Sequence, residues 1–512
     1  MKRWSVLIAL VVLVLGLPGG GATAQNADPL GADLDRILAD PRLVGTSVGL
    51  VVRDADSGDL VYTRTSANRL VPASNAKLVT TATALEVLGA DHRFRTDVLA
   101  AGGRHGHFLN GDLLLRGTGD PTLLAADYQD LAARVRASGV RVIAGDLVAD
   151  DTWFDAVRLG SGWAWDDEPY YYNAEISALT VSPDTDYDAG TVIVRVLPGA
   201  APGAPARVEV VPPNDHVRIV TTATTAASGD SISIDRDRAS TTIRVSGSLA
   251  VGSEPVTQYT AVADPTGLAT SVFARALADN GVRLLGKVRR GTTPRDATTL
   301  ASRESMPLGE LLVPLLKFSN NGHSEILVKT AGRVVSGEGT WDAGLTALQA
   351  RLPDLGVDPA ALRLVDGSGL SRMDVISPDQ IAALLIGVRD EPWFGTWYEA
   401  LPVAGDPDRT RGGTLRNRMR GTPAEGNVHA KTGSLTGVTT LAGYVTTADG
   451  RHLVFSLFLN NFVSAAPRDL EDAVAVRLAS DRAGLGGTVL APRPRAEAGR
   501  DDLECSWVKS CA

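Results

Sequence analysis

Leu70-Val71-Pro72-Ala73-Ser74-Asn75-Ala76-Lys77-Leu78-Val79-Thr80-Thr81 opens a run that stays apolar at helical spacing to Leu88, where Gly89 stops it. A residue three on from the start of a helix lies over the same face, so Lys77 is predicted to reach the Ser74 hydroxyl. Lysine occurs only seven times in the chain, against 43 arginines, yet one is kept here. Arginine is effectively always protonated, whereas a desolvated lysine can lose its proton and act as a base. Ser74 is therefore a candidate nucleophile with its base one turn away. Free N–H groups and the positive dipole end of the helix favour a developing oxyanion beside it. The pattern is short, and Ser506-Trp507-Val508-Lys509 repeats it in a loose tail, so its context has to carry the reading.

At 512 residues, with 44% hydrophobic and 21% charged residues, the chain is long enough for two to four packed domains. Met1 to Ala24 reads as a secretory signal peptide: Lys2 and Arg3, an apolar core from Val6 to Leu17, then Ala22-Thr23-Ala24 for cleavage. The mature chain is expected to be exported, in the cell envelope or secreted, with no stable membrane span. Its acidic balance, −9 overall, and the lack of a basic cluster argue against nucleic acid and anionic membranes as partners. Seven histidines with only His105-Gly106-His107 close together give no metal signature, so neither metal nor cofactor is expected. Cys505 and Cys511 sit together near the end of the sequence, where an exported chain could bridge them.

Texture divides the remainder. Residues 25–93 read as helix, hairpin and the Ser74 helix. Short strands and Gly/Asp turns dominate 94–262, a β-rich insert with a second module nested at about 182–255. Helices and strands resume over 263–484, followed by a tail at 485–512. Two further motifs fall in that third part. Ser319-Asn320-Asn321 offers a hydroxyl for a proton relay and, at Asn321, an amide for the base and a substrate amide. His429-Ala430-Lys431-Thr432-Gly433-Ser434 precedes strands and is expected on a sheet edge, open to an extended peptide. There Lys431 and Thr432 suit a terminal carboxylate, and Gly433 lets the substrate backbone approach. Three of the seven lysines (Lys77, Lys317, Lys431) lie in or beside these motifs.

Ser-x-x-Lys, Ser-x-Asn and Lys-Thr-Gly in that order come close to the set of penicillin-binding proteins and class A β-lactamases, with Asn320 where the latter usually carry Asp. The chain resembles class C low-molecular-mass penicillin-binding proteins, the D-alanyl-D-alanine carboxypeptidases/endopeptidases of the cell wall. Gly117-Thr118-Gly119-Asp120-Pro121-Thr122-Leu123, Asp150 to Asp155, Gly162-Trp163-Ala164-Trp165-Asp166-Asp167, Asp366-Gly367-Ser368-Gly369-Leu370-Ser371-Arg372 and Leu401 to Gly405 carry the likeness onward. The resemblance implies an α+β multidomain fold, a transpeptidase/β-lactamase-like domain with an antiparallel sheet flanked by helices, split by the insert. It implies peptidoglycan stem peptides as substrates and β-lactams as covalent inhibitors. Asp151 and Arg372, in segments that share the likeness, are expected to hold the amine and carboxylate of a diaminopimelate at the third stem position. Three alternatives stand beside this reading. A class A β-lactamase needs a Glu-x-x-Leu-Asn pattern, which the sequence lacks; a Ser-His-Asp hydrolase needs a nucleophile elbow, and Gly45-Thr46-Ser47-Val48-Gly49 runs into a hairpin instead. A catalytically silent wall-binding protein of the same fold would not need intact motifs.

Overall fold

The computed structural model describes Pro29 to Ala483; the signal-peptide reading, the tail and its two cysteines lie outside the described residues. Five strands, β1 (Ser47–Asp54), β2 (Leu60–Arg64), β3 (His429–Leu435), β4 (Val438–Thr446) and β5 (His452–Asn460), form one sheet ordered β3-β4-β5-β1-β2. Every pairing in it is antiparallel. Successive side chains on a strand point to opposite faces, and here both faces are covered. Val454 and Phe458 of β5 enter a core with Leu78, Leu311, Leu327 and Ile381. Leu453, Phe455, Leu457 and Leu459 enter a second core with Leu34, Leu470 and Val474. That is why β5 reads as a continuous apolar run in an antiparallel sheet.

The covering helices are α1 (Pro29–Ile37) and α7 (Arg468–Ala479) on one face. On the other lie α2 (Ala76–Leu88), α3 (Leu308–Lys317), α4 (Asn321–Ser336), α5 (Trp341–Gln349) and α6 (Pro378–Gly387). Helix α2 is buried on all sides from Ala76 to Leu85, as a central helix must be when it is apolar all round. Its Thr81 and Thr83 hydroxyls donate back to the Lys77 and Val79 carbonyls at 2.6 and 2.8 Å, so neither is left unpaired in the core. Gly89 ends it at a φ of +79°, where a side chain would be strained.

The insert is a mixed sheet built on the long hairpin Arg95–His105 and Phe108–Gly117, with the helices Ala125–Ala137 and Pro265–Asp279 packed in its own core. Its far boundary differs from the expected 262. Thr298–Glu304 pairs antiparallel with the first insert strand, Glu304 opposite Arg95, so the insert closes on itself only at residue 304. Helical patterning at 265–280 marks a helix of the insert, not a return to the first domain. The smaller strand groups between residues 191 and 261 bury Val192, Val194, Ile243 and Val245 in that same core. They extend the insert without a separate interior. Among the described residues no helix is long and apolar enough to cross a membrane.

One buried charge cluster ties the Lys431 strand's neighbourhood to α7. The Arg418 guanidinium donates to Asp472 at 2.7 Å and Glu471 at 2.9 Å, and Glu471 also accepts from Thr439 of β4. Removing one partner of such a cluster leaves uncompensated buried charge. Arg418→Ala is expected to cost about 3–5 kcal/mol, read as a lower urea midpoint for loss of tertiary structure.

Candidate active site

Ser74 sits in a 3-10 turn, Ala73–Asn75, that runs directly into α2. The Lys77 amine nitrogen is buried, 2.6 Å from Ser74 Oγ, 2.7 Å from Asn321 Oδ1 and 2.9 Å from the Ser368 carbonyl oxygen. The first contact is local, one helical turn; the other two come from residues more than 240 positions away. Asn321 is the first residue of α4, and its Nδ2 donates to the Tyr172 carbonyl at 2.8 Å. Asn320 caps that helix, its Oδ1 accepting the His323 N–H, while its amide donates to Asp188 and the Tyr187 carbonyl of the insert.

A second pair stands beside the first. The buried Lys431 ammonium donates to Ser319 Oγ and to the Thr432 carbonyl, both at 2.7 Å, and Thr432 Oγ1 donates to Thr414 Oγ1 at 2.8 Å. Lys317 points elsewhere, bonding the Leu401 carbonyl, and burial lowers its pKa to about 8. Lys431 to Ser434 lie on β3, which is an edge strand.

The glycine of that strand serves a different closeness from the one expected. A Cβ at Gly433 would stand 2.3 Å from Thr440 Oγ1 and 2.9 Å from both the Pro72 carbonyl and Ser74 N. The missing side chain therefore lets β3 pass against the turn that carries Ser74, bringing Ser434 alongside it. Ala73 and Ser319 hold positive φ values of 46° and 56°, so both serines follow or occupy strained backbone.

A cleft of about 500 Å³ opens over Ser74, and Asn321, Ser434, Asp166, Asp167, Tyr172, Leu370 and Arg372 line it. Asp151 is not in that lining. It accepts from Arg158 at 2.8 Å and Thr266 at 2.6 Å inside the insert, which corrects its expected place beside Arg372. The acids facing the cleft with Arg372 are Asp166 and Asp167. Burial raises the Asp167 pKa, while a hydrogen bond from the Tyr172 hydroxyl at 3.0 Å and the Arg372 charge pull it down. Arg372 itself donates to the Thr436 carbonyl at the end of β3.

Sequence reasoning also missed the Ser368 carbonyl and what holds it. Glu325 accepts from Gly367 N, Ser368 N and Trp341 Nε1 at 2.9, 2.8 and 2.7 Å. Burial, then the Asp366 charge, push its pKa up to about 7 against those donated bonds. A backbone acceptor has no residue-type signature. The signal available was the glycine-rich stretch Asp366 to Arg372.

The crowding at Gly433 gives a direct test of the site's geometry. Gly433→Ala is expected to leave a folded chain whose labelling by fluorescent penicillin is at least 100-fold slower, because β3 must back away from Ser74. Labelling at the wild-type rate would contradict the assigned role of that contact.

Residues 30–481 match the family model described as the D-Ala-D-Ala carboxypeptidase 3 (S13) family. A D-alanyl-D-alanine carboxypeptidase of Actinomadura sp. (strain R39) is 46% identical, the match covering 100% of this chain and 96% of that one. The crystal structure of penicillin binding protein 4 (dacB) from Haemophilus influenzae superposes with a TM-score of 0.75 at 26% identity, over 87% of this chain and 98% of the other. Its complex with a β-lactam gives a TM-score of 0.70 at 24% identity and the same coverage. With the split domain, the three ordered motifs and these likenesses together, the chain belongs to the D-Ala-D-Ala carboxypeptidase 3 (S13) family, a class C low-molecular-mass penicillin-binding protein and a serine D-alanyl-D-alanine carboxypeptidase.

Proposed function

We propose that Ser74 and Lys77 carry out acyl transfer on peptidoglycan stem peptides, with Ser319, Asn321 and Lys431 completing the site. The single observation behind this is the buried lysine amine 2.6 Å from the serine hydroxyl, held also by Asn321. The neutral amine of Lys77 takes the Ser74 proton as Oγ bonds to the carbonyl carbon of the penultimate D-Ala. The oxyanion lies between the N–H groups of Ser74 and Ser434, each donor worth about 3 kcal/mol. On collapse the peptide C–N bond breaks, and the proton taken up by Lys77 is relayed through the Ser319 hydroxyl to the departing D-Ala amine, which restores both side chains. Lys431 and Thr432 hold the terminal carboxylate, Asn321 the substrate amide, and water then cleaves the acyl-serine ester.

A β-lactam follows the same first step, its ring carbonyl taking the place of the peptide carbonyl. The β-lactam complex of the Haemophilus influenzae protein supports that reading for a chain of the same family. The amino-terminal leader read in the sequence, and a substrate that lies in the cell wall, together support export.

Lys77→Arg is expected to give a folded chain that neither fluorescent penicillin nor substrate acylates, because arginine cannot supply a neutral base. Normal acylation of that variant would refute the role of Lys77. Digestion of purified muropeptides, read by mass spectrometry, should show loss of one terminal D-Ala; the same digest reports whether cross-linked dimers are cut. Fast turnover of a chromogenic cephalosporin would instead favour the β-lactamase reading.

The third stem residue is bound, in this reading, by Asp167 with Asp166 for its amine and by Arg372 for its carboxylate. The three side chains line the same cleft as Ser74. Arg372→Ala should lower kcat/KM about 10- to 100-fold for diaminopimelyl peptides and spare lysyl peptides, which lack that carboxylate. Asp167→Ala should lower both, since both carry the amine. Equal handling of the two peptides by wild type and both variants would dismiss the subsite.

A further inference from the structure

The loop Val365 to Ser371 is bonded almost wholly through its amides, and its two faces do different things. Gly367 N and Ser368 N donate to Glu325, Gly369 N and Ser371 N donate to Asp366, and Val365 N donates to Asp374, all between 2.7 and 2.9 Å. On the other face the Gly367 carbonyl accepts from Thr80 at 2.7 Å and the Ser368 carbonyl from Lys77 at 2.9 Å. Carboxylates therefore grip the donor side of the loop while its acceptor side meets α2, the helix of the nucleophile. Glu325 lies one helical turn after Asn321 on α4 and, like it, is buried. One face of α4 thus reaches Lys77 twice, directly through Asn321 and through the loop by way of Glu325.

We propose that Glu325 is a positioning residue for the acylation step, fixing the Ser368 carbonyl that, with Asn321 Oδ1, takes the two N–H groups of the neutral Lys77 amine and so turns its lone pair to Ser74. This rests on Lys77 acting as the base. Glu325 touches neither the cleft nor the reacting atoms, so its influence runs through the loop. Hydrogen bonds to both of its oxygens leave the loop one arrangement, and a chain of bonds in a dry interior strengthens each link. Substitution by glutamine keeps the volume but puts an amide N–H against one of the loop's N–H groups, so a loop bond is lost. Trp341 supplies the comparison: its indole N–H, which is no part of the loop, donates at 2.7 Å to the same carboxylate oxygen as Gly367 N.

The test is saturation kinetics of benzylpenicillin acylation on the full chain, separating the binding constant K from the acylation rate k2. Glu325→Gln is expected to lower k2 at least tenfold with K within threefold of wild type, and Glu325→Ala to lower k2 further. Trp341→Phe, which takes away one donor but leaves the loop bonds, should keep k2 within threefold. A wild-type k2 in Glu325→Gln would overturn the proposal, as would a loss in Trp341→Phe matching that of Glu325→Gln. Should Glu325→Ala not fold, the glutamine variant decides alone. Failure of the base assignment itself shows separately, as normal acylation of Lys77→Arg.

Discussion

A lysine amine with no exposed surface, held by partners from three parts of the chain, is the constraint around which this site is built. Burying a lysine amine costs free energy unless its polar atoms find partners. Here the serine supplies one, the start of α4 a second and the 365–371 loop a third. The amine can occupy this place only when α2, α4 and that loop are packed together. Its position is thus a property of the tertiary fold as much as of the Ser-x-x-Lys spacing.

The same demand for closeness explains the strained backbone. Ala73 and Ser319 each adopt positive φ without being glycine, a conformation that costs on the order of 1–3 kcal/mol per residue. Where an added Cβ could not be accommodated at all, the chain uses glycine. At Gly369, with φ +80°, a Cβ would stand 1.8 Å from the Ala73 carbonyl, and at Gly433 it would meet Ser74 N. Two backbones are pressed against the Ala73–Asn75 turn from different segments of the sequence. The dense cores on both faces of the five-stranded sheet supply the packing that holds them there.

Local spacing explains what could be read from the sequence and what could not. Ser74 and Lys77 meet within one helical turn, so a pattern of four residues contains their geometry. The order of the three motifs carried the rest of the cluster, and the edge position of Lys431 to Ser434 followed from the strands after it. Non-local pairing left no such trace. The pairing of Glu304 with Arg95 that closes the insert depends on strands two hundred residues apart, so helical texture at 265 looked like a boundary. Asp151 and Asp167 are both acids in stretches that read alike in the sequence, and only packing separates them: one accepts from Arg158 and Thr266, the other faces the cleft. Likewise Gly433 reads as small in any case, but which backbone it admits depends on the approach of Pro72 and Ser74.

The insert is therefore in contact with the candidate site, although the sequence separates the two. An amide side chain can present either oxygen or nitrogen to a neighbour, and its network decides which. Asn321 Nδ2 donates to the carbonyl of Tyr172, an insert residue, so its oxygen is the atom turned to Lys77. The segment carrying Tyr172 is itself clamped within the insert. Glu168 accepts from the buried Arg236 guanidinium at 2.9 Å and from Ala239 N at 2.8 Å, and Arg238 stacks 3.4 Å over the Trp165 ring. Between those clamps lie Asp166 and Asp167, which line the cleft. The insert's strands thus hold the segment that orients Asn321 toward Lys77 and turns the two acids to the cleft. A cut between the two bodies would leave the three motifs intact and take away the acceptor that orients Asn321.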